Sequence, residues 1–571
     1  MQVNNLSTQP TEATIRQWEE AGTVLFNSLK NYLSLCKSLK ANSLQDNVPA
    51  RNLATHIDSA LGTLHTVLNQ ELNHSRSILA RTRNEILSPL CYIPEEILSK
   101  IFTIVVFEDA QSTKGPLDRP PVIDESLSRI WKSRYNLSSV CSTWNKFILT
   151  KGIFWSTFVL YPSSGYKLSR TMAPRLSIPR AGRSGLQFVG ILDQGVTQEE
   201  IVDFGDHITG KTSQIQRINI RGHSYLVQFL LKVLLQLGVY PMLSEVSLHQ
   251  INRSNSYTDM TFTPSHIIPH DSDLLWPAFT KLLSSLSVLR INGVAFSWHH
   301  MAFSSQLVEL HLQDLKIGPD SVLAGLLNSA PGLYKLRMIS VVTAADRGGG
   351  VHIISLPNLK LLLLEDLSFN TLEFLLGSIQ SDSYQLTIHL TNNARQRYAN
   401  NHIGLLPSLV DMEDLHSVLR LAPVHTLLLS CHQEWWLAGT GLGSLLKSIP
   451  TIRVLKTRAW RFDTGSSDTL VRPESTELES NDQFANLEEL HLSCAQIIDP
   501  DALKAVVTSH SLRKMVFGGS LHYQGDAYPI CDNFLPEGIF LDWLRSNVPE
   551  FHLLSSELDL PEFCSDVWQL W

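Results

Sequence analysis

"LVELHL" at 307–312, "LYKLRM" at 333–338 and "LKLLLL" at 359–364 share one frame, apolar at the first, fourth and sixth positions, and successive starts lie 26 residues apart. In an extended segment alternate side chains leave opposite faces, so positions four and six bury together while three and five point the other way. The same frame, or a close variant, returns in "LSEVSL" (243–248), "LSVLRI" (286–291), "VHTLLL" (424–429), "LEELHL" (487–492) and "LRKMVF" (512–517). The last two start 25 residues apart.

Helical segments lie between the frames. "GPDSVLAGLLNSAPG" (318–332) offers Asp320 or Ser321 to cap a helix start and Pro331-Gly332 to stop it, and "DPDALKAVVTSH" (499–510) repeats the arrangement. Strand, turn and helix make a unit that cannot bury its apolar face alone, so units stack into a solenoid. The step matches leucine-rich repeats, which run to roughly 20–29 residues. A doubly wound sheet would also show short apolar strands, but fixed Leu spacing rather than irregular Val and Ile runs argues against it. The array is irregular: 381–401 carries a divergent strand "QLTIHL" and a polar loop, and 457–483 reads as a long, partly disordered insertion.

A chain of 571 residues exceeds one ordinary core, so several domains or a repeat array are expected. With 43% apolar and 18% charged residues the composition is that of a folded protein. Lys and Arg number 46 against 54 Asp and Glu, a formal charge of -8, so no basic excess points to a nucleic-acid partner. The 7 cysteines are scattered singly with no CxxC, which suggests neither a disulfide framework nor a zinc site. "MQVNNLSTQPTEATIRQWEE" lacks the features of a signal peptide, and "FLLKVLLQLGV" (229–239), interrupted by Lys232 and Gln236, is too short to span a bilayer. The expected setting is cytoplasmic or nuclear, with no membrane contact and no cofactor.

Residues 1–87 read as a helical segment. Ile15, Trp18, Val24, Leu25, Leu29, Tyr32 and Leu33 mark one helix. After a polar turn at 42–48, Ile57, Leu61, Leu64, Leu68, Leu72, Leu79 and Ile86 mark a second, with a spacing of seven at its end. This pattern suits a hairpin packed on the following domain or a coiled coil that dimerises. In "SPLCYIPEEILSKIF" (88–102), Pro94 sits at a helix start, and Glu95 and Glu96 face the positive end of its dipole. Ile97, Leu98, Ile101, Phe102 and Val105 then supply more apolar surface than one small core uses. A Pro-rich acidic loop leads to "IWKSRYNLSSVCSTWNKFILTKGIFWSTFVL" (130–160), where Leu137, Val140, Cys141, Trp144 and Ile148 fall at helical spacing and Trp155 closes the segment.

The order L-x-x-I-P-x-E-I-L-x-x-I-F, then L-x-x-V-C-x-x-W and F-W, resembles an F-box domain of the F-box-like type found in mushroom-forming fungi, over residues 88–157. The resemblance implies docking on the Skp-type adaptor of a cullin-RING ubiquitin ligase core, with a protein substrate held by the C-terminal repeats. Carried onto this chain, the adaptor-binding positions are Leu90, Ile93, Pro94, Glu96, Ile97, Leu98, Ile101, Phe102, Val140, Cys141, Trp144 and Trp155. Ile93, Pro94 and the Ile97–Phe102 face are the stronger contact candidates; Leu137, Val140 and Trp144 suit a three-helix core. An inserted loop near 107–131 departs from the compact family pattern.

The organisation expected is therefore α/β: an N-terminal helical segment (1–87), a three-helix F-box-like domain (88–160) and an irregular leucine-rich-repeat domain (161–571). Positions three and five of the frames place Glu309, His311, Lys335, Arg337, Leu361, Leu363, Glu489, His491 and Lys514 on the exposed concave face as candidate substrate contacts. Trp435 and Trp436 in "HQEWWLAG" (432–439) are further candidates, since adjacent tryptophans do not easily face one core. Catalytic signals are weak. "GHSYL" (222–226) lacks the second glycine of a nucleophile elbow, "GTGLGS" (439–444) lacks the strand-turn-helix frame of a dinucleotide loop, and the pairs His299-His300 and Cys431-His432 do not converge on a metal. The expected role is non-catalytic: a ligase substrate receptor, or a scaffold whose box no longer docks.

Overall fold

The computed structural model describes residues 12–45, 49–87, 93–108, 119–161, 174–193, 195–251, 267–268, 275–346, 352–381, 383–398, 407–430, 435–437, 441–473, 484–521, 538–554 and 559–571. It divides into two compact units, Met1–Pro94 and Glu95–Trp571.

In the first unit the helix Glu12–Gln45 is followed by Ala50–Leu87, which passes through one π turn at Ala60–Leu64. Tyr32 Oη lies 3.3 Å from His65 Nε2 across the pair. None of this unit's described residues is buried, and Trp18, Phe26, Leu61 and Ile86 among others are exposed.

The second unit begins with helices Glu95–Thr103, Ile123–Val140 and Ser142–Thr150 and the single turn Gly152–Trp155. Of the expected 107–131 loop, 109–118 lie outside the described residues, and 123–131 are helical. Ile123 opens a helix whose first turn holds Asp124 and Glu125, and its buried Ile123, Leu127 and Ile130 recur at helical spacing.

Then comes a 15-stranded sheet. Its strands Thr157–Leu160, Leu186–Leu192, Ile215–Gly222, Glu245–Gln250, Val288–Asn292, Glu309–Pro319, Lys335–Ala344, Leu361–Glu365, Gln385–Leu390, Val424–Ser430, Val454–Arg458, Glu489–Ile497, Lys514–Leu521 and Glu550–Leu553 lie side by side in chain order, every neighbouring pair parallel. A sheet whose spatial order is its chain order has no switch point, so this is a leucine-rich-repeat solenoid and not a doubly wound sheet. The divergent "QLTIHL" enters it as Gln385–Leu390. Of the 457–483 stretch, 474–483 lie outside the described residues; before them Arg461–Phe462 pairs at the sheet's side and Leu470 accepts a 2.9 Å hydrogen bond from His510 Nε2.

The frame leucines carry the packing. Leu310, Leu312, Leu336, Met338, Leu490 and Leu492 are all 0% exposed. Helices close most coils on that side, and because helices are wider than the strand spacing of about 4.8 Å, the strand face becomes the concave one. Several strands also turn at one place. The residue five after the strand's first has positive φ in Gly293, Asp314, Ser340, Asp366, Ala459, Cys494 and Gly519. The turn is held sideways: the amides of Gly293, Asp366 and Ala459 donate to Gln313, His389 and Ser493 carbonyls on the following coil. At Gly519 a Cβ would stand 2.0 Å from the Ala495 carbonyl oxygen, so only glycine fits there.

Helix capping differs between the two segments read from sequence. Asp499 accepts from the amides of Asp501 and Ala502 at 3.0 and 3.1 Å. The helix Asp320–Asn328 is not capped by Asp320 or Ser321; instead the Ser321 amide donates at 3.0 Å to Asp346 on the next coil. Replacing Leu336 by Ala is expected to cost about 2–5 kcal/mol, since the neighbouring coils cannot collapse into the space. A shift in the urea unfolding midpoint measures it, and an unchanged midpoint would contradict the interlocking of coils.

Candidate functional site

Two surfaces carry the sequence candidates. On the helical cluster, Phe102 packs edge-on against Trp144 with centroids 4.6 Å apart, and against Phe147 at 5.5 Å. Leu98 and Val106 are buried beside it. That packing turns Ile97, Ile101, Ile104 and Val105 outward, exposed by 51%, 40%, 42% and 37%. Glu96 and Pro94 are exposed, Ile93 is half-buried, and Leu90 lies outside the described residues. Leu137, Cys141 and Trp144 are half-buried. Val140, read as a core residue, is exposed because its helix ends there, and Cys141 takes extended backbone and accepts from the Trp144 amide.

Trp155 is buried. Its Nε1 donates at 2.8 Å to the Ile148 carbonyl, and the guanidiniums of Arg134 and Arg180 each lie 4.3 Å from its ring. Arg180 belongs to the helix Pro174–Ala181 of the first coil, so this indole fastens the cluster to the solenoid rather than facing outward. Burial, with Arg180 nearby, pulls Arg134 down to about 10.

On the concave face, strand register lines residues into rungs. Ser247, Arg290, His311, Arg337 and Leu363 form one, and Glu245, Val288, Glu309, Lys335 and Leu361 the adjacent one. Opposite charges alternate across the two. Arg217 meets Glu245 at 3.3 Å, Arg290 meets Glu245 at 2.5 Å and Glu309 at 3.2 Å, and Lys335 meets Glu309 at 3.3 Å. Although burial opposes it, the cations Arg290 and Lys335 pull Glu309 below the usual carboxylate range.

This face is covered, where the sequence reading left it open. Residues 559–571 run back across it, against the order of the coils. Arg458 meets Asp559 at 2.8 Å, Lys456 meets Glu562 at 2.5 Å, Phe563 lies edge-on to His389, and Gln313 Nε2 donates to the Ser565 carbonyl at 3.2 Å. Trp568 reaches His249 and His311, and its Nε1 donates at 2.9 Å to Asn219, whose Nδ2 donates to the Gln569 and Leu570 carbonyls. The Trp568 carbonyl accepts from the Ile123 amide. His311 and His491 are therefore buried; Glu309, Lys335, Arg337, Leu363, Glu489 and Lys514 are half-buried, while Leu361 remains exposed. Of the tryptophan pair, Trp436 is buried, which corrects it as an exposed anchor, and the side chain of Trp435 lies outside the described residues. The aromatic run "VWQLW" (567–571) was the sequence signal for this covering segment.

Among the described residues, no group of three or more His, Cys, Asp or Glu is placed to hold a metal ion, and no helix is long and apolar enough to cross a membrane. No protein-family model and no curated protein matches the chain. Among solved structures, the leucine-rich repeat-containing protein LegL7 of Legionella pneumophila aligns at 13% identity and a TM-score of 0.29, covering 69% of this chain and 97% of LegL7. The yeast Rad7 and Elc1 complex aligns at 11% identity and a TM-score of 0.28, covering 84% of this chain and 96% of its counterpart. The fold assignment rests on the chain's own strand order.

Burial holds His311 and His491 at about 3 and His249 at about 4. The unfolded chain titrates these groups near 6.5, so on acidification it takes up protons that the fold refuses. Stability contributed by the three is present above about pH 6.5, falls as pH drops below it, and stops falling near the folded values. At pH 5 the loss is at most about 2 kcal/mol per histidine. Arg337, Arg290 and Lys335 around His311, and Lys456 and Lys514 around His491, add to it. Asp314, which burial raises to about 6, works in the opposite direction, so the comparison needs a variant. The double variant His311→Gln/His491→Gln is expected to lose less of its urea midpoint than the parent between about pH 7 and pH 5. Parallel losses would show that these histidines do not carry the effect.

Proposed function

We propose that the chain is a non-catalytic substrate receptor of a cullin-RING ubiquitin ligase, with an F-box-like helical domain of the mushroom-fungal type docking on a Skp-type adaptor. The observation that carries this reading is the outward row Ile97, Ile101, Ile104 and Val105, on a helix whose other side is already filled by Leu98, Phe102 and Val106. Apolar surface left over on a short helix of a small cluster is suited to a partner groove, read through anchors three and four residues apart. Trp155 supports docking indirectly, since it holds the cluster to the first coil.

The solenoid holds the protein to be modified. With 559–571 over the middle of the concave face, Leu361 stays exposed on that face, and Val308 and Tyr334 are exposed just before neighbouring strands. A reducing cytoplasmic or nuclear setting is in keeping with cysteines scattered singly along the sequence.

The test is capture of the full chain by an immobilised, purified Skp-type adaptor, beside the double variant Ile97→Asp/Ile101→Asp. Both positions are exposed, so the variant should fold, and its capture should fall by at least about tenfold, as for loss of central hot-spot residues. Failure of the folded parent to bind would leave a scaffold whose box no longer docks. Undiminished binding by the variant would move the interface elsewhere.

A further inference from the structure

Between the concave face and the covering segment lies a cavity of about 410 Å³, lined by the sheet residues Arg290, His311, Arg337 and Leu363 and roofed by Trp568 and Trp571. Its size falls within the range of small-molecule sites, roughly 300–1,000 Å³.

The charges in its wall do not close among themselves. Glu309 is shared by Arg290 and Lys335, Glu562 is held by Lys456, and Glu365 faces His389 at 3.2 Å. Arg337 sits in the same wall, and among the described residues no carboxylate reaches it at ion-pair distance and no acceptor takes its N–H groups. Burial depresses its pKa, against the pull of Glu309. Beside it on the same rung, His311 is 9% exposed and its Nε2 has no hydrogen-bond partner. A half-buried guanidinium without a protein counter-ion stands here beside a buried imidazole nitrogen without a partner, and such groups are costly in a closed fold unless something pairs with them. Around them Ile339, Leu363, Val567, Trp568 and Trp571 are apolar.

We propose that this cavity binds a small organic monoanion, a carboxylate on an aromatic or aliphatic body, with Arg337 taking the charge and the two tryptophans covering the body. The planar fork of a guanidinium matches the two oxygens of a carboxylate. One unpaired cation favours a single charge: a phosphate monoester, close to a dianion at neutral pH, would need a second, and Arg290 and Lys335 are already engaged. The ligand would bridge the sheet and residues 559–571, so its binding would also fasten the covering segment. This reading is independent of the ligase role.

Calorimetric titration of the full chain with benzoate, benzamide and phenyl phosphate tests it. Saturable binding of benzoate is expected, with benzamide, which has the same shape without the charge, weaker by at least about tenfold. Arg337→Gln should abolish the benzoate response. The variant's own unfolding midpoint should be unchanged or higher, because a half-buried charge without a protein counter-ion has been removed, whereas a purely structural arginine would lower it. Equal binding of benzoate and benzamide by the parent, no binding of either, or an undiminished response in Arg337→Gln would each overturn the proposal. Tighter binding of phenyl phosphate than of benzoate would overturn the carboxylate assignment.

Discussion

A coil of this solenoid buries its leucines only against the coils on either side, and that dependence runs unbroken from Phe158 to Leu553. Leu310, Leu336 and Leu362 share one rung, each covered by its neighbours, so removing any one opens a space that two coils line. The left-handed residue that recurs in several strands, from Val288–Asn292 to Lys514–Leu521, follows from the same constraint. These coils leave the sheet at equal height, and at Gly293, Asp366 and Ala459 the amide of the turn finds its acceptor on the next coil. The ends cannot use this device. At one end Phe158 stacks on Phe188 and Phe204 while the helical cluster covers the outside; at the other, Glu550 and His552 put polar side chains on the terminal strand.

Parallel register brings a second consequence, an electrostatic one. Residues on one rung sit about 4.8 Å apart, so like charges in successive frames would repel strongly under low solvent access. The chain answers with alternation, Arg217, Glu245, Arg290, Glu309 and Lys335, in which each inner charge serves two neighbours. Beside the end of the alternation, Arg337 meets Leu363 on its own rung in the next coil, and no described carboxylate of the sheet comes within ion-pair distance of it, although Glu309 and Glu365 act on it from further away.

The solenoid was legible because its signal is periodic: a frame of two leucines one residue apart leaves few alternatives once it recurs at a fixed step. The apolar excess around Ile97 and Ile101 was visible for a similar reason, since a short helix with apolar residues at i, i+1, i+4 and i+5 cannot bury them all. What escaped is long-range. Nothing local in positions three and five distinguishes a solvated His311 from one beneath Trp568, whose position lies 257 residues further along the chain. Of the tryptophan pair, Trp436 with Leu437 is buried in a single turn of 3₁₀ helix at Trp435–Leu437, and nothing local in the sequence marks which of two adjacent rings turns inward. The capping of Asp320–Asn328 from Asp346 escaped in the same way, because the acceptor comes from another coil.

Stacked repeats ordinarily share stability only with their nearest neighbours. Residues 559–571 depart from that rule, joining Arg458 near one end to Asn219 and Ile123 near the other. Contacts of such sequence separation close late in folding and make distant coils unfold together rather than by fraying. They also bring the covering segment onto the first turn of Ile123–Val140, the helix that packs against Ser142–Thr150 and the turn Ile104–Glu108. Asp124, on that same first turn, reaches Arg221 of the third strand at 3.2 Å, which makes the helix a common anchor for cluster, sheet and covering segment. The concave face and the outward apolar row around Ile101 are thus joined by one rigid element in direct contact with both regions, so a change in how 559–571 is seated bears first on the helix that positions the row.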